Sequence, residues 1–341
     1  MRKDVPVQLS PRLHSHVRAG LALTLAFLAG HSLAGQRAVF VSKTLLAVSG
    51  ITNIQTVNPA SGKVVSSFPE SKEFISDLVA SLSGPVLVST TMRDTVQVWN
   101  PANGKVTKTL KGQNGFGGAV ALSADGRRLA WVYTDGTVHL WNLATGKDVQ
   151  TFKTPATPDL RVTFLAFSPD GTNLAAGMFP GGIQVWSVAS GALVRTLPGK
   201  DESRAAAGMF SPDGKTPVIG ANDASIKLWT LASGQVRELA GVADSIKSVA
   251  FSPDGRLLAG GGSNLDLNVW NVQSGKLVQT LKGNTDFIDS VVFSPDSRSV
   301  VSTSQDYSVR LWTVPSGRLI WTMTPPHPSD VGRGRGGLPV Q

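Results

Sequence analysis

The chain has 341 residues, of which 41% are hydrophobic and 16% charged, and its formal net charge is +9. This length and composition allow a large core and exclude disorder for most of the chain, while the absence of cysteine excludes disulfide bridges, thiolate metal sites and a cysteine nucleophile. The 36 glycines and 20 prolines, with many Val, Leu, Thr and Ser residues between them, favour an all-β chain with tight turns.

Residues 1–34 have the three-part layout of a secretory signal peptide. A basic and polar region precedes the apolar run at residues 21–29, and the small residues Ser32 and Ala34 follow, so cleavage is expected near Ala34. The apolar run is too short to form a stable transmembrane anchor. We therefore expect an exported protein, periplasmic or extracellular, without a stable membrane span. The alternative is a cytoplasmic protein in which this run forms an early strand or a frayed helix.

A tryptophan recurs at nearly constant spacing through the rest of the chain. The intervals between successive copies are 42, 45, 43, 41 and 42 residues. The six positions are Trp99, Trp141, Trp186, Trp229, Trp270 and Trp312. One more copy precedes them, with Val57 in place of the tryptophan. Seven copies at this period indicate a repeat architecture in which each unit covers the apolar side of its neighbour.

Each copy carries two turns. FSPDG or a related motif begins nineteen residues before the tryptophan, as at Phe167, and its Pro, Asp and Gly predict a hairpin between a first and a second strand. A second turn that ends in glycine, such as Gly275, follows the tryptophan and predicts a hairpin between a third and a fourth strand. The strands alternate with a period of two, as in residues 226–228, where Lys227 is expected to face outward. Residues 35–323 are therefore predicted to form an all-β, seven-bladed β-propeller with four antiparallel strands per blade.

These motifs resemble the WD-repeat β-propeller family, in a bacterial type with degenerate repeats. The resemblance rests on FSPDG, on the tryptophans, and on an aspartate six residues before three of them, which implies structural roles for all six tryptophans and for Asp135, Asp223 and Asp306. The family's Gly-His pair is lost, since Asn284 follows Gly283. This departure implies that the family's buried hydrogen-bond network is missing and that the aspartates only cap their own loops.

The partner-binding residues are expected around one opening of the central channel. The residue six before the FSPDG phenylalanine points at this rim, and the loops between second and third strands reach the same face. The set comprises Phe74, Phe116, Arg161, Arg204 and Phe287 from the rim, and Arg93, Tyr133, Phe179 and Tyr307 from the loops. Aromatic residues and arginine are enriched in protein-contact hot spots. The hypothesis is a non-catalytic, monomeric scaffold that binds a protein or peptide at this rim, and the alternative for each residue is that it seals a blade junction.

Enzyme and nucleic-acid functions fit the sequence less well. Only His139 of the five histidines lies inside the repeats, and the rim positions hold no Asp or Glu, so no catalytic residue, metal or cofactor is assigned. The leading alternative is a quinoprotein-like or small-molecule-binding propeller enzyme, because the segment around Trp321 resembles one quinone-binding unit, although that unit occurs once. Without residues 1–36 and the tail from Thr324, the chain has a net charge of +5, and its basic residues form no run. This distribution favours a mixed, solvated surface over nucleic-acid binding. Residues 324–341 have the composition of a disordered tail.

Overall fold

Twenty-eight β-strands form the regular structure of the described residues. The computed structural model describes residues 36–325, except for 70, 72, 82, 85, 92–94, 113–117, 134, 156–160, 181, 198–204 and 243. The signal-peptide prediction for residues 1–34 and almost all of the predicted tail therefore lie outside the described residues. The first fourteen strands are β1 Ala38–Ser42, β2 Leu45–Ser49, β3 Ile54–Val57, β4 Val64–Ser67, β5 Ile75–Ser81, β6 Val86–Thr91, β7 Thr95–Asn100, β8 Lys105–Lys111, β9 Val120–Leu122, β10 Arg128–Val132, β11 Val138–Asn142, β12 Lys147–Phe152, β13 Arg161–Phe167 and β14 Asn173–Phe179. The second fourteen are β15 Ile183–Ser187, β16 Leu193–Leu197, β17 Ala205–Phe210, β18 Pro217–Ala221, β19 Ile226–Trp229, β20 Val236–Glu238, β21 Ile246–Phe251, β22 Leu257–Gly262, β23 Leu267–Asn271, β24 Leu277–Leu281, β25 Ile288–Phe293, β26 Ser299–Ser304, β27 Val309–Thr313 and β28 Leu319–Met323.

The strands form seven antiparallel sheets, each built from four consecutive strands, which we number as blades 1 to 7. The first strand of each blade contacts the first strand of the next, and β25 of blade 7 contacts β1 of blade 1, so the ring is closed. The predicted all-β, seven-bladed propeller is confirmed. No strand is exchanged between the two ends of the described chain. Among the described residues there is no helix, and hence none that is long and apolar enough to cross a membrane.

The core of the protein lies between the blades. Seven apolar clusters each combine residues of two neighbouring blades, and one of them joins blade 7 to blade 1. The repeated tryptophans lie in or against these layers. The ring of Trp99 in blade 2, for example, lies 5.4 Å from that of Phe68 in blade 1, between centroids. Each blade thus covers the apolar face of its neighbour, as the repeat pattern predicts.

The alternating polar residues of the third strands are less exposed than their pattern predicts. Gln184, Asn268 and Arg310 are buried, and Lys227 and His139 are half-buried. A blade in a closed ring is covered on both faces, so a polar side chain on its second face lies against the next blade. Local hydrogen bonds satisfy some of these groups, as when Thr280 Oγ1 donates to Asn268 Oδ1 over 2.8 Å.

The FSPDG motif forms the predicted turn between the first and second strands. In blade 4, the Ser168 hydroxyl donates to Asp170 Oδ1 over 2.5 Å, and the backbone N–H of Thr172 donates to the same oxygen over 3.0 Å. Gly171 has a φ of +69°, which a residue without a side chain adopts at no steric cost. In the FSPDS variant of blade 7, Ser297 takes this conformation with a φ of +62°.

The order of the strands gives the ring two distinct faces. The turns between first and second strands and between third and fourth strands lie at one end of every sheet, which we call the turn face. The loops between second and third strands and the connections between blades lie at the other end, which we call the mouth face. The described residues that are predicted to bind a partner belong to the mouth face.

Candidate functional site

The described aromatic and arginine residues of the predicted rim lie at the mouth face, with different degrees of exposure. Phe287 directly precedes β25, Tyr307 lies in the loop before β27, and each side chain is 40% exposed. Phe74 directly precedes β5 and is half-buried. Arg161, which is exposed, and Phe179, which is half-buried, are paired across β13 and β14 in blade 4. Their role in binding stays a prediction.

Tyr133 lies in the packing of blade 3. Its ring stacks on the imidazole of His139, with 3.9 Å between centroids, and contacts Trp131 edge-on at 5.4 Å. The side chain is half-buried in this arrangement. The structure thus places the Tyr133 ring against other rings of its own blade, and its role in partner binding stays a prediction. The remaining rim residues, Phe116, Arg93 and Arg204, lie outside the described residues.

The tryptophans and aspartates that carry the repeat pattern occupy structural positions. All six tryptophans lie at or next to the end of the third strand of their blade. Asp135 accepts hydrogen bonds from the backbone N–H and the hydroxyl of Thr137, and Asp223 accepts one from the hydroxyl of Ser225. These two aspartates cap their own loops, as expected.

The expectation that the buried hydrogen-bond network is missing is wrong for blade 7. Trp312 Nε1 donates to the Ser302 hydroxyl over 3.2 Å, and this hydroxyl donates to Asn284 Oδ1 over 3.1 Å. Asp306 accepts hydrogen bonds from the backbone N–H and hydroxyl of Thr285 at 3.1 and 2.6 Å, in the connection from the previous blade. Asn284 stands where the family has histidine, and its amide oxygen supplies the acceptor that the network needs.

Asp306 is also an ion-pair partner. Arg310 Nη1 lies 2.9 Å from Asp306 Oδ2, and both side chains are mostly buried. Burial by itself raises the pKa of the Asp306 carboxyl, but hydrogen bonds from Ser308 and Thr285 outweigh it and hold this pKa well below its ordinary value of 3.8. The carboxylate is therefore ionised at neutral pH and fastens the second-to-third-strand loop of blade 7 to the preceding connection.

Arg37 joins three blades at the closure of the ring. Its Nη1 donates to the backbone oxygen of Asp289 in blade 7 over 2.9 Å, and its Nε lies 3.4 Å from Asp77 Oδ1 in blade 2. The Arg37 and Asp77 side chains are 29% and 28% exposed. The neighbouring Gln36 accepts a hydrogen bond of 2.6 Å from Thr303 through its backbone oxygen. Blade 1 is thus attached to both neighbours through the first residues of the propeller.

Sequence reasoning missed Asp77 and Asp289 because it examined only the rim position itself. Both belong to inner strands, Asp77 three residues after the rim position and Asp289 two residues after it. Burial raises the pKa of each carboxyl, and the charge of Arg37 opposes this rise. Asp289 Oδ1 accepts a hydrogen bond of 3.0 Å from Gln305 Nε2, whereas Oδ2 is buried and has no hydrogen-bond partner among the described residues. A buried carboxylate oxygen without a partner is unusual and marks a place where a ligand could donate a hydrogen bond.

Lys247 and Phe287 complete the mouth next to Asp289. The Lys247 ammonium lies 4.6 Å from the centroid of the Phe287 ring, a distance typical of a cation–π contact. Lys247 and Asp286 both influence the Asp289 carboxyl electrostatically, which shows that these groups share one environment. An aromatic face, a cation and an unsatisfied acceptor therefore meet at the junction of blades 6, 7 and 1.

Metal and quinone chemistry receive no support from the described residues. No group of three or more His, Asp or Glu side chains among them is arranged to hold a metal ion. Trp321, the residue that resembles a quinone-binding unit, donates through Nε1 to the backbone oxygen of Pro59 over 2.8 Å, and its ring lies against Gly62. This tryptophan of blade 7 therefore packs on the third-to-fourth-strand turn of blade 1 and helps to close the ring.

The closed ring, the interblade core and the mouth define a seven-bladed β-propeller. Three segments of the chain, residues 146–187, 233–271 and 275–313, match the family described as WD domain, G-beta repeat. These three matches, together with the seven four-stranded blades, support a WD-repeat propeller family for this chain. Each matched segment contains the fourth strand of one blade and the first three strands of the next. No curated protein matches the chain.

Proposed function

We propose that this protein is a non-catalytic scaffold that binds a peptide segment of a partner protein at the mouth of its channel, beside Phe287 and Asp289. WD-repeat propellers typically act as protein-interaction scaffolds and are generally non-catalytic, which supports the class of function. The observation that carries the choice of site is the exposed Phe287 ring, two residues before Asp289, whose Oδ2 has no hydrogen-bond partner among the described residues.

The chemistry of this sector favours a partner segment with hydrogen-bond donors and positive charge. Around the mouth of blades 6, 7, 1 and 2, the described acidic residues are Glu73, Asp77, Asp244, Asp266, Asp286, Asp289 and Asp306, and the described cations are Arg37, Lys111, Lys247, Lys282 and Arg310. An N–H donor of the partner could pair with Asp289 Oδ2, and an apolar or cationic side chain could pack on the Phe287 ring. Exposed aromatic residues of this kind supply most of the binding energy in hot spots.

A displayed random-peptide library, screened against the immobilised protein, tests this proposal. The selected peptides should be rich in Lys or Arg, and Phe287→Ala should weaken their binding at least about 10-fold, as expected for a hot-spot residue. Val194→Ala is the matched control, because Val194 is exposed on the outer strand of blade 4, far from the mouth. Peptides that bind Phe287→Ala as tightly as the unmodified protein would contradict the proposed site.

We also propose that the protein is exported, on the strength of the leader-like pattern of residues 1–34. Mass spectrometry of the protein recovered from its native host tests this directly. A mature N-terminus close to Gly35 supports export, and an intact N-terminal segment on the recovered protein contradicts it. Such cleavage would leave Gln36 and Arg37, which close the ring, near the start of the mature chain.

A further inference from the structure

The charges of the propeller are distributed unequally between its two faces. The turn face carries eleven Lys and Arg residues, all of them exposed, and six aspartates. The cations are Lys43, Lys63, Lys105, Arg127, Arg128, Lys147, Lys215, Arg256, Lys276, Arg298 and Arg318, and none of them forms an ion pair with a described residue. The aspartates are Asp125, Asp148, Asp170, Asp213, Asp254 and Asp296. The net +5 of the propeller is therefore concentrated on this face.

Within the turn face, the outer ring of turns between third and fourth strands carries most of the excess charge. A cation follows the turn glycine in five consecutive blades, from blade 6 through the closure to blade 3. We call these residues the basic crescent: Lys276, Arg318, Lys63, Lys105 and Lys147. Blades 4 and 5 have Ala192 and Gln235 instead. One acid, Asp148, lies beside the crescent, and its Oδ2 is 2.5 Å from Nδ1 of His139.

Exposed aliphatic side chains follow the cations of the crescent, directly in four blades and after Asp148 in blade 3. Each outer strand in these blades begins with one or two of them, and their exposure ranges from 39% to 60%. They are Val64, Val65, Val106, Val149, Leu277, Val278, Leu319 and Ile320. The outer strands of blades 4 and 5 also begin with exposed aliphatic residues, Leu193, Val194 and Val236, so the crescent differs from these blades by its cations. In four of these blades the strand bulges at an exposed aliphatic residue, as at Val278 between the pairs of Val269 with Gln279 and Trp270 with Leu277. The crescent is thus a band in which exposed cations and exposed aliphatic groups lie close together.

We propose that the basic crescent docks the protein on an anionic lipid surface. Cations alone would also fit nucleic acid or an acidic protein, but neither of those partners accounts for the exposed aliphatic groups that lie in the same band. A lipid interface offers both chemistries, because its phosphates attract Lys and Arg while the acyl boundary accepts aliphatic side chains. The band follows the rim of one flat face over five blades, which suits a planar surface. Docking through this face leaves the mouth, with Phe287 and Asp289, directed away from the lipid.

Vesicle co-sedimentation of the full chain tests this proposal. The protein should sediment with vesicles that contain phosphatidylglycerol, should bind poorly to pure phosphatidylcholine, and should dissociate as salt is added. The triple variant Lys63→Ser, Lys105→Ser, Lys276→Ser should lower partitioning on the order of 100-fold, since each cation near an anionic surface contributes about 5-fold. The triple variant Val65→Ser, Val278→Ser, Ile320→Ser should also lower partitioning, and this loss should persist at high salt.

The matched control removes three exposed lysines from the opposite ends of outer strands. Lys111→Ser, Lys153→Ser, Lys282→Ser changes the net charge equally at the mouth face and should leave partitioning unchanged. All variants carry the same N-terminal segment, so any vesicle binding by that segment is common to them. Equal partitioning of the two lysine triples would overturn the proposal. Crescent-dependent binding to polyglutamate or DNA in the absence of vesicle binding would overturn it as well.

Discussion

Arg37 Nη1 donates a hydrogen bond of 2.9 Å to the backbone oxygen of Asp289, a residue 252 positions further along the chain. The same guanidinium lies 3.4 Å from Asp77, so one side chain contacts the blades on both sides of its own. A propeller without an exchanged strand depends on such side chains, and on interblade packing, to keep its first and last blades together.

Removal of this side chain should loosen the closure of the ring. Arg37→Ala leaves the Asp289 carbonyl without its donor and Asp77 without its counter-charge, so we expect the free energy of unfolding to fall by about 2 kcal/mol. Urea denaturation measures the change, with Lys43→Ala, an exposed cation of the same blade, as the control. If the two variants are equally stable, Arg37 does not hold the ring together.

Trp321 should matter for stability through both packing and its hydrogen bond. Trp321→Ala removes the ring that lies on Gly62 and should cost about 3 kcal/mol, whereas Trp321→Phe keeps an aromatic ring, loses the donor to Pro59, and should cost about 1 kcal/mol. Thermal unfolding ranks the variants beside Val194→Ala, an exposed outer-strand control. Wild-type stability in Trp321→Ala would remove the structural role that we assign to this residue.

Asp289 should make stability depend on pH in a characteristic direction. Because burial raises its pKa in the folded protein above the ordinary 3.8, folding takes up a proton between these two values, and stability contributed by this group is lost as pH rises through the folded pKa. Asp289→Asn mimics the protonated acid and keeps an acceptor for Gln305. The variant should therefore be more stable than the unmodified protein at pH 7, and the difference should shrink towards pH 4. Chemical denaturation across this range measures it, and a less stable variant at pH 7 contradicts the assignment.

Asp306 should show the opposite pH dependence. Its pKa is lowered in the folded protein, so its contribution to stability is present above 3.8 and is lost as pH falls through the folded value. Asp306→Asn should cost about 2 kcal/mol at pH 7, because Thr285 and Arg310 lose a charged acceptor, and the cost should disappear in acid.

Asp135→Asn is the control for this prediction. Asp135 is exposed and, among the described residues, accepts hydrogen bonds only from Thr137, so the same substitution there should cost less. Equal losses for the two variants at pH 7 would show that the bonds to the preceding connection contribute nothing.

The features that the sequence predicts correctly are those encoded within one repeat. FSPDG and the turn glycines act through hydrogen bonds between residues two to five positions apart, so the turns, the strands and the number of blades can be read from the printed chain. The tryptophan spacing likewise reflects packing that is repeated in every blade.

The closure and the mouth could not be predicted in this way, because they depend on contacts between distant segments. Nothing near Arg37 in sequence indicates Asp289, and nothing near Trp321 indicates Pro59, which is 262 positions away. Tyr133 lies at a position that the rim pattern selects, but its ring stacks on His139, a contact that the pattern does not predict. Asn284 replaces the histidine of the family motif, yet its amide oxygen accepts the hydrogen bond from Ser302.

Hydrogen–deuterium exchange of the full chain tests the proposed binding site most directly. The exchange is measured with and without a saturating concentration of a peptide selected from the displayed library. We predict slower exchange at residues 286–289 and 305–307 at the junction of blades 6, 7 and 1, with no change in the turns between third and fourth strands. Protection confined to the outer strands or to the turn face, with none around Phe287 and Gln305, would contradict the account.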